Sequence, residues 1–352
     1  MKIRKNNFLF LLLFIMGLFL ACLSSFILPE KFFYDTKILV FDKYNEIGLI
    51  GSYPFSILFY KVTLLKNLPF FLVALIQYPI LIYLLYKIGV PNKFNKITIK
   101  NVLIYISFFL IAIYISMPSK EFISYLYFAI IPIIYKSKKS SIKVKSIIVL
   151  LFIAFFGVFF RPYYLLMPII VVGMYVVIFI KIKNKTITSI FYGLLITILL
   201  SLSYGFIKGK NLSESSRESL NTERINAKDT NSMIVSPVNV NSWYGESIGI
   251  IYGFFSVNIP IEGFKHFLHP QILCFIIWQL LLFYILLVRL SRCIKKREKY
   301  DFQLLTLLIL FSFFIIQGVF EPDLGSAIRH KIGIFPLIYY VLYYEEFKQQ
   351  TV

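Results

Sequence analysis

The chain has 352 residues, of which 59% are hydrophobic and 15% charged, against about 25% charged in ordinary soluble domains. That balance excludes a soluble enzyme. It predicts an all-α, polytopic integral membrane protein with one transmembrane domain over residues 1–352. A net charge of +20 would suit nucleic acid, but the basic residues sort by loop, and topology absorbs nearly all of the excess.

Lys2, Arg4 and Lys5 precede an apolar run at 8–28, which by the positive-inside rule enters from the cytoplasm. Leu20-Ala21-Cys22 loosely resembles a lipoprotein cleavage site, but the apolar run continues past Cys22, so it is kept as the first span. Residues 29–52 form a polar loop. The stretch 53–65 is too short and interrupted to span, which predicts an interfacial or re-entrant segment. Spans follow at 68–86, 102–117 and 122–135, the last two joined by Pro118-Ser119-Lys120, with lysine-rich loops after the second and fourth.

Residues 147–180 as a single helix would run about 51 Å against roughly 30 Å of hydrocarbon, so the run must break in two, at Arg161-Pro162. A seventh span at 187–207 leads into the longest polar segment, 208–246. Residues 247–267 mix Gly, Pro and aromatics and read as interfacial. Spans at 270–290, 302–320 and 332–344 complete about ten and leave both termini in the cytoplasm. The loops at 29–52 and 208–246, Arg161 and the stretch 321–331 then share the outer side.

That last stretch, Glu321-Pro322-Asp323-Leu324-Gly325-Ser326-Ala327-Ile328-Arg329-His330-Lys331, concentrates polar groups between two apolar runs. Such density beside hydrocarbon marks a hydrated turn or a task. With Arg161, Arg217 and Arg224, Arg329 gives the outer side a set of guanidinium forks suited to phosphate or diphosphate, against the plainer reading of headgroup snorkelling. Glu321, Asp323 and His330 are candidate bases for a sugar hydroxyl, with helix capping an equal reading for Asp323 and structural hydrogen bonding for His330. Trp243 and Tyr244 could stack on a sugar ring or sit in the aromatic belt.

Glu262, His266 and His269 share a helical spacing, but nothing else supports a metal, and none is expected. Cys22, Cys274 and Cys293 fit neither a disulfide framework nor a zinc site. The sequence has no Walker motif, dinucleotide fingerprint or serine elbow, which excludes a cytoplasmic ATP-driven engine.

The ten-span layout, the long loop with Arg217 and Arg224, the Arg161 hairpin and the run from Glu321 to His330 resemble the Wzy-type O-antigen and capsule repeat-unit polymerases and their EpsG-like relatives. The resemblance covers the whole chain in layout and the short run in motif. It implies an enzyme of the bacterial inner membrane, with a bundle compatible with the GT-C class. Such an enzyme polymerises undecaprenyl-diphosphate-linked oligosaccharides at the outer leaflet, with no cofactor and no nucleotide sugar. It also implies Arg161, Arg217, Arg224 and Arg329 as diphosphate clamps, and a chain-length regulator and flippase as pathway partners.

Two alternatives stay open. A lipid-phosphate-sugar glycosyltransferase of the GT-C kind would use Asp35 or Asp42 of the first outer loop as base. A flippase of the same lipid would show repeated halves and charges inside its spans.

Overall fold

The computed structural model describes residues 4–41, 48–136, 141–224, 232–266, 268, 270–297 and 301–350. Among them the secondary structure is helical, apart from one isolated bridge between Met233 and Asp323. The helices are α1 (Lys5–Ile27), α2 (Tyr34–Phe41), α3 (Ser52–Val62), α4 (Phe70–Ile88), α5 (Ile99–Tyr114), α6 (Lys120–Lys136), α7 (Ile142–Phe159), α8 (Leu166–Val177), α9 (Lys185–Lys208), α10 (Ser219–Arg224), α11 (Trp243–Asn258), α12 (Pro270–Lys295), α13 (Asp301–Phe320), α14 (Leu324–Gly333) and α15 (Phe335–Gln350).

Six of these are long and apolar enough to cross a membrane: α1, α4, α7, α9, α12 from Ile272, and α13. This is a helical membrane protein. The helix α5 and the segment Pro162–Val177 are apolar but shorter. The apolar runs expected to span are largely helical, but the 147–180 run breaks at Arg161 and the 332–344 run breaks at Ile334, between α14 and α15. Proline cannot continue a hydrogen-bonded helix and disfavours helical geometry in the residue before it, so Pro162 ends α7 and begins a 3-10 turn.

Residues 243–258 form a regular 16-residue helix, α11, overlapping the segment expected to be interfacial. And most of the stretch 321–331 is helix, not turn, because Asp323 caps α14: its carboxylate accepts from Ser326 N at 2.8 Å and Ser326 Oγ at 2.9 Å.

Contacts divide the chain into two compact units: Met1–Val149, Phe155–Pro162 and Arg329–Val352 in the first, Leu150–Ala154 and Tyr163–Ile328 in the second.

In the first unit α1 crosses α4 where Gly17 faces Tyr78; a Cβ on Gly17 would lie 1.8 Å from the Tyr78 hydroxyl. Tyrosines then tie the helices to one another. Tyr125 donates to Leu81 O at 3.2 Å, Tyr339 to Gly89 O at 2.6 Å and Tyr343 to Asn101 Oδ1 at 2.7 Å. These bonds satisfy hydroxyls that would be costly to bury alone. Gly51 has φ +102°, a conformation that favours glycine, and its N–H donates to Phe159 O at 3.0 Å. That bond anchors the start of α3 at the end of α7, beside Arg161.

In the second unit α13 is buried nearly all round, 94% of its apolar window, as befits a helix apolar on every face. α11 crosses it through glycines: a Cβ on Gly253 would come within 2.0 Å of Gly318 O, and one on Gly318 within 2.4 Å of Phe254 N. Small residues spaced by four let backbones approach this closely in membrane helices.

Candidate functional site

Polar chemistry in the first unit converges on the first turn of α6. Tyr60 of α3 accepts from Ser119 N at 2.8 Å, and the Ser119 hydroxyl accepts from Phe122 N at 3.1 Å, capping α6. The next two residues are Lys120 and Glu121. A carboxylate in a first turn is favoured by the helix dipole, which helps to explain how Glu121 is kept at 0% exposure.

Glu121 Oε1 lies 2.7 Å from Arg161 Nη2 and 3.0 Å from His330 Nε2, and its Oε2 lies 3.7 Å from Arg329 Nε. Arg329 Nη2 also reaches Asp35 Oδ2 at 2.8 Å, and Lys120 Nζ approaches the same oxygen at 3.4 Å. Tyr53 donates to Asp35 Oδ1 at 2.9 Å, and its ring lies 3.5 Å beneath the Lys120 ammonium. Three basic side chains, Lys120, Arg161 and Arg329, thus face two carboxylates, Asp35 and Glu121. Arg329 is the most open, with 23% of its side chain exposed against 6% for Arg161.

Burial acts on these groups in opposite directions. It would raise the Asp35 carboxyl, but the charges of Arg329 and Lys120 outweigh it and hold the group well below the usual carboxylate range. Burial pushes the Lys120 ammonium down to about 8, and the attraction of Asp35 and Glu121 does not make up the difference. The pair is therefore lopsided: Asp35 stays charged over the whole physiological range, while Lys120 is near its titration point. Such a cluster of partly dry cations can hold an anion with several oxygens.

Four sequence candidates are gathered here: Arg161, Arg329 and His330, and Asp35 from the alternative transferase reading. Glu121, Lys120 and Tyr53 were not singled out from sequence. The signal for Glu121 was slight: one acid at the mouth of an apolar run, following a residue assigned to a turn.

The remaining candidates belong to the second unit. Arg217 lies in a π-turn, Glu214–Glu218, with 0% exposure. Its Nη1 donates to Gly249 O at 3.2 Å and Gly318 O at 2.7 Å, and its Nε lies 3.1 Å from Glu218 Oε1. Those bonds place it over the glycine crossing of α11 and α13, as a tie between backbones. Arg224 ends α10. Glu321 is buried and accepts from Gln317 Nε2 at 3.2 Å. Asp323 spends both carboxylate oxygens on the α14 cap.

Trp243 and Tyr244 open α11, 70% and 52% exposed, with their rings edge to face at 5.8 Å. A further buried acid, Glu246, accepts from the Ser201 and Ser213 hydroxyls and from Ser213 N. His269 and Asp42 lie outside the described residues, as do the side chains of Glu262, His266 and Arg224. No cluster of three metal-ligating residues occurs among the described residues.

No protein-family model matches the chain, and neither a curated protein nor a solved structure matches it.

Proposed function

We propose that the protein polymerises undecaprenyl-diphosphate-linked oligosaccharide repeat units at the outer leaflet of a bacterial inner membrane. Its ten spans would leave both termini in the cytoplasm. What supports the reading above all is the convergence of Arg329, Arg161 and Lys120 with His330 around Glu121 and Asp35. In the proposed topology that cluster faces outward, where a lipid diphosphate presents its head.

In the reaction the acceptor sugar's hydroxyl oxygen forms a bond to the anomeric carbon of the donor chain. The bond from that carbon to the diphosphate oxygen breaks, and its electron pair leaves on the diphosphate. Cations beside those oxygens stabilise the charge that develops as the bond breaks. Arg329, the open arginine, contacts the diphosphate, and Arg161, held by Glu121, supports it from behind. The hydroxyl proton passes to His330; Asp35, whose carboxylate is held ionised by Arg329 and Lys120, is a poor acceptor. Glu321 and Asp323, occupied by Gln317 and the α14 cap, rank behind His330.

Trp243 and Tyr244 offer exposed rings for sugar stacking. Arg217 and Arg224 are weaker diphosphate candidates than the first unit's cations, Arg217 because its guanidinium is buried on carbonyls. A chain-length regulator and a flippase would be the pathway partners.

Asp35 lies in the same cluster, which keeps a second reading in play, a lipid-phosphate-sugar glycosyltransferase with Asp35 as base, although its contacts with Arg329 and Lys120 weaken it in that role. Deleting the gene and examining the surface glycan separates the two. Single-repeat caps support the polymerase, and full-length chains lacking one side sugar support the transferase. Loss of all repeat units points to a flippase and sinks both.

A further inference from the structure

Asp35 holds Arg329 and Lys120 through a single oxygen, and the fit is poor. Asp35 Oδ2 lies 2.8 Å and 3.4 Å from the two cations, yet it is buried without a hydrogen bond of good geometry. Glu121 Oε2, the other carboxylate oxygen near Arg329, is in the same position at 3.7 Å. Each carboxylate offers the Arg329 guanidinium a single oxygen, whereas a fork takes two parallel acceptors best.

Asp35 is held in place by one neutral bond, from Tyr53, and it stands on α2, a short helix of eight residues. Glu121 is different: Arg161 and His330 fix its other oxygen, and it has no exposure at all. The two carboxylates therefore have separate duties. Glu121 is the permanent anchor, and Asp35 is the exchangeable one.

We propose that Asp35 is an internal stand-in for an external phosphoryl or diphosphate group on Arg329 and Lys120, and that ligand entry swings Asp35 off these cations. This rests on the anion-site reading above and deepens it. The incoming group brings several oxygens in place of one, so it can offer the Arg329 fork two parallel acceptors and reach the Lys120 ammonium as well. A ligand competing with an internal group binds with an affinity reduced by the fraction of time that group is seated. Weakening the hold on Asp35 must then tighten ligand binding, whereas a carboxylate that merely positions Arg329 would give the opposite sign.

The test is calorimetric titration of the purified full-length protein in detergent with inorganic pyrophosphate. Wild type is expected to bind, Asp35→Asn to bind about fivefold tighter or more, and Arg329→Ala to lose binding. Tyr53→Phe keeps every charge and removes only the neutral hold on Asp35. Its binding should tighten by a smaller factor, and it carries the test should Asp35→Asn fail to fold.

Unchanged or weaker binding in Tyr53→Phe, with wild type binding normally, overturns the exchange and leaves the anion site standing. No binding by wild type or by folded Asp35→Asn overturns the anion site and the exchange together. Farnesyl diphosphate as a second probe separates the sources. Tighter binding than pyrophosphate supports a lipid-borne ligand, while equal binding supports the exchange with a free diphosphate and counts against the polymerase.

Discussion

Arg161 and Glu121, forty residues apart in the chain, meet at 2.7 Å with 6% and 0% of their side chains exposed. Breaking such a pair from one side leaves a buried charge uncompensated. The contact therefore supports the fold of the first unit as well as any chemistry there.

Glu121→Ala should cost about 3–5 kcal/mol, because the buried Arg161 would lose its Glu121 counter-charge. Thermal unfolding in detergent, followed by circular dichroism, measures it. A double variant that replaces both residues by apolar ones of similar volume should recover much of the loss. A Glu121→Ala protein as stable as wild type would show that Arg161 finds another partner.

The glycine crossing of the second unit makes a separate demand. Gly253→Ala places a methyl group 2.0 Å from Gly318 O and 2.3 Å from Arg217 Nη1, so α11 must move off α13. The expected cost is about 1–3 kcal/mol, the usual penalty of overpacking, seen as a lowered melting temperature. A matched Gly209→Ala control has nothing within 4 Å, and its cost comes from its φ of +76° alone.

Acid should loosen the first unit through Asp35. Its folded value is depressed below the ordinary 3.8, so its contribution is fully present above about pH 4 and is lost as the pH falls below that. Melting temperatures taken from pH 7 to pH 3 should decline over the acid end, and Asp35→Asn should flatten the decline. An unchanged acid slope in the variant would assign the loss to other carboxylates.

Arg329→Ala and Arg217→Ala should differ in kind. In cells, the first is expected to abolish chain extension while the protein accumulates normally in the membrane. The second should lower the amount of protein, since it removes ties to Gly249 O and Gly318 O from a buried site. Immunoblots of membranes beside glycan gels read both effects. Normal chain lengths in Arg329→Ala would end its role as a diphosphate ligand.

Asp323→Ala removes the α14 cap and should cost about 1 kcal/mol, while Asp323→Asn or Asp323→Ser retains most of it. Chain extension that survives in the Ser variant separates capping from catalysis. Loss of extension in a stable Asp323→Asn protein would restore this acid to the reaction.

Hydrophobic run length and the proline break were legible in the sequence because they are local: apolar residues must leave water, and Pro162 cannot continue a helix. From these follow the membrane class, the helical fold and the bend at Arg161. The pairing of charges was not legible. Arg161, Glu121 and Arg329 come from three segments far apart in the chain, and sequence carries no term for which of them meet.

The same limit explains Arg217, which reads from sequence as a diphosphate-binding or headgroup-snorkelling arginine in a polar loop. Only the close approach of Gly253 and Gly318 creates the carbonyl seat that buries it. It also explains α11, where the glycines that blur the pattern along the chain are the ones that let two backbones pack. Local chemistry set the elements, and long-range packing in a low-dielectric interior decided which charges became partners.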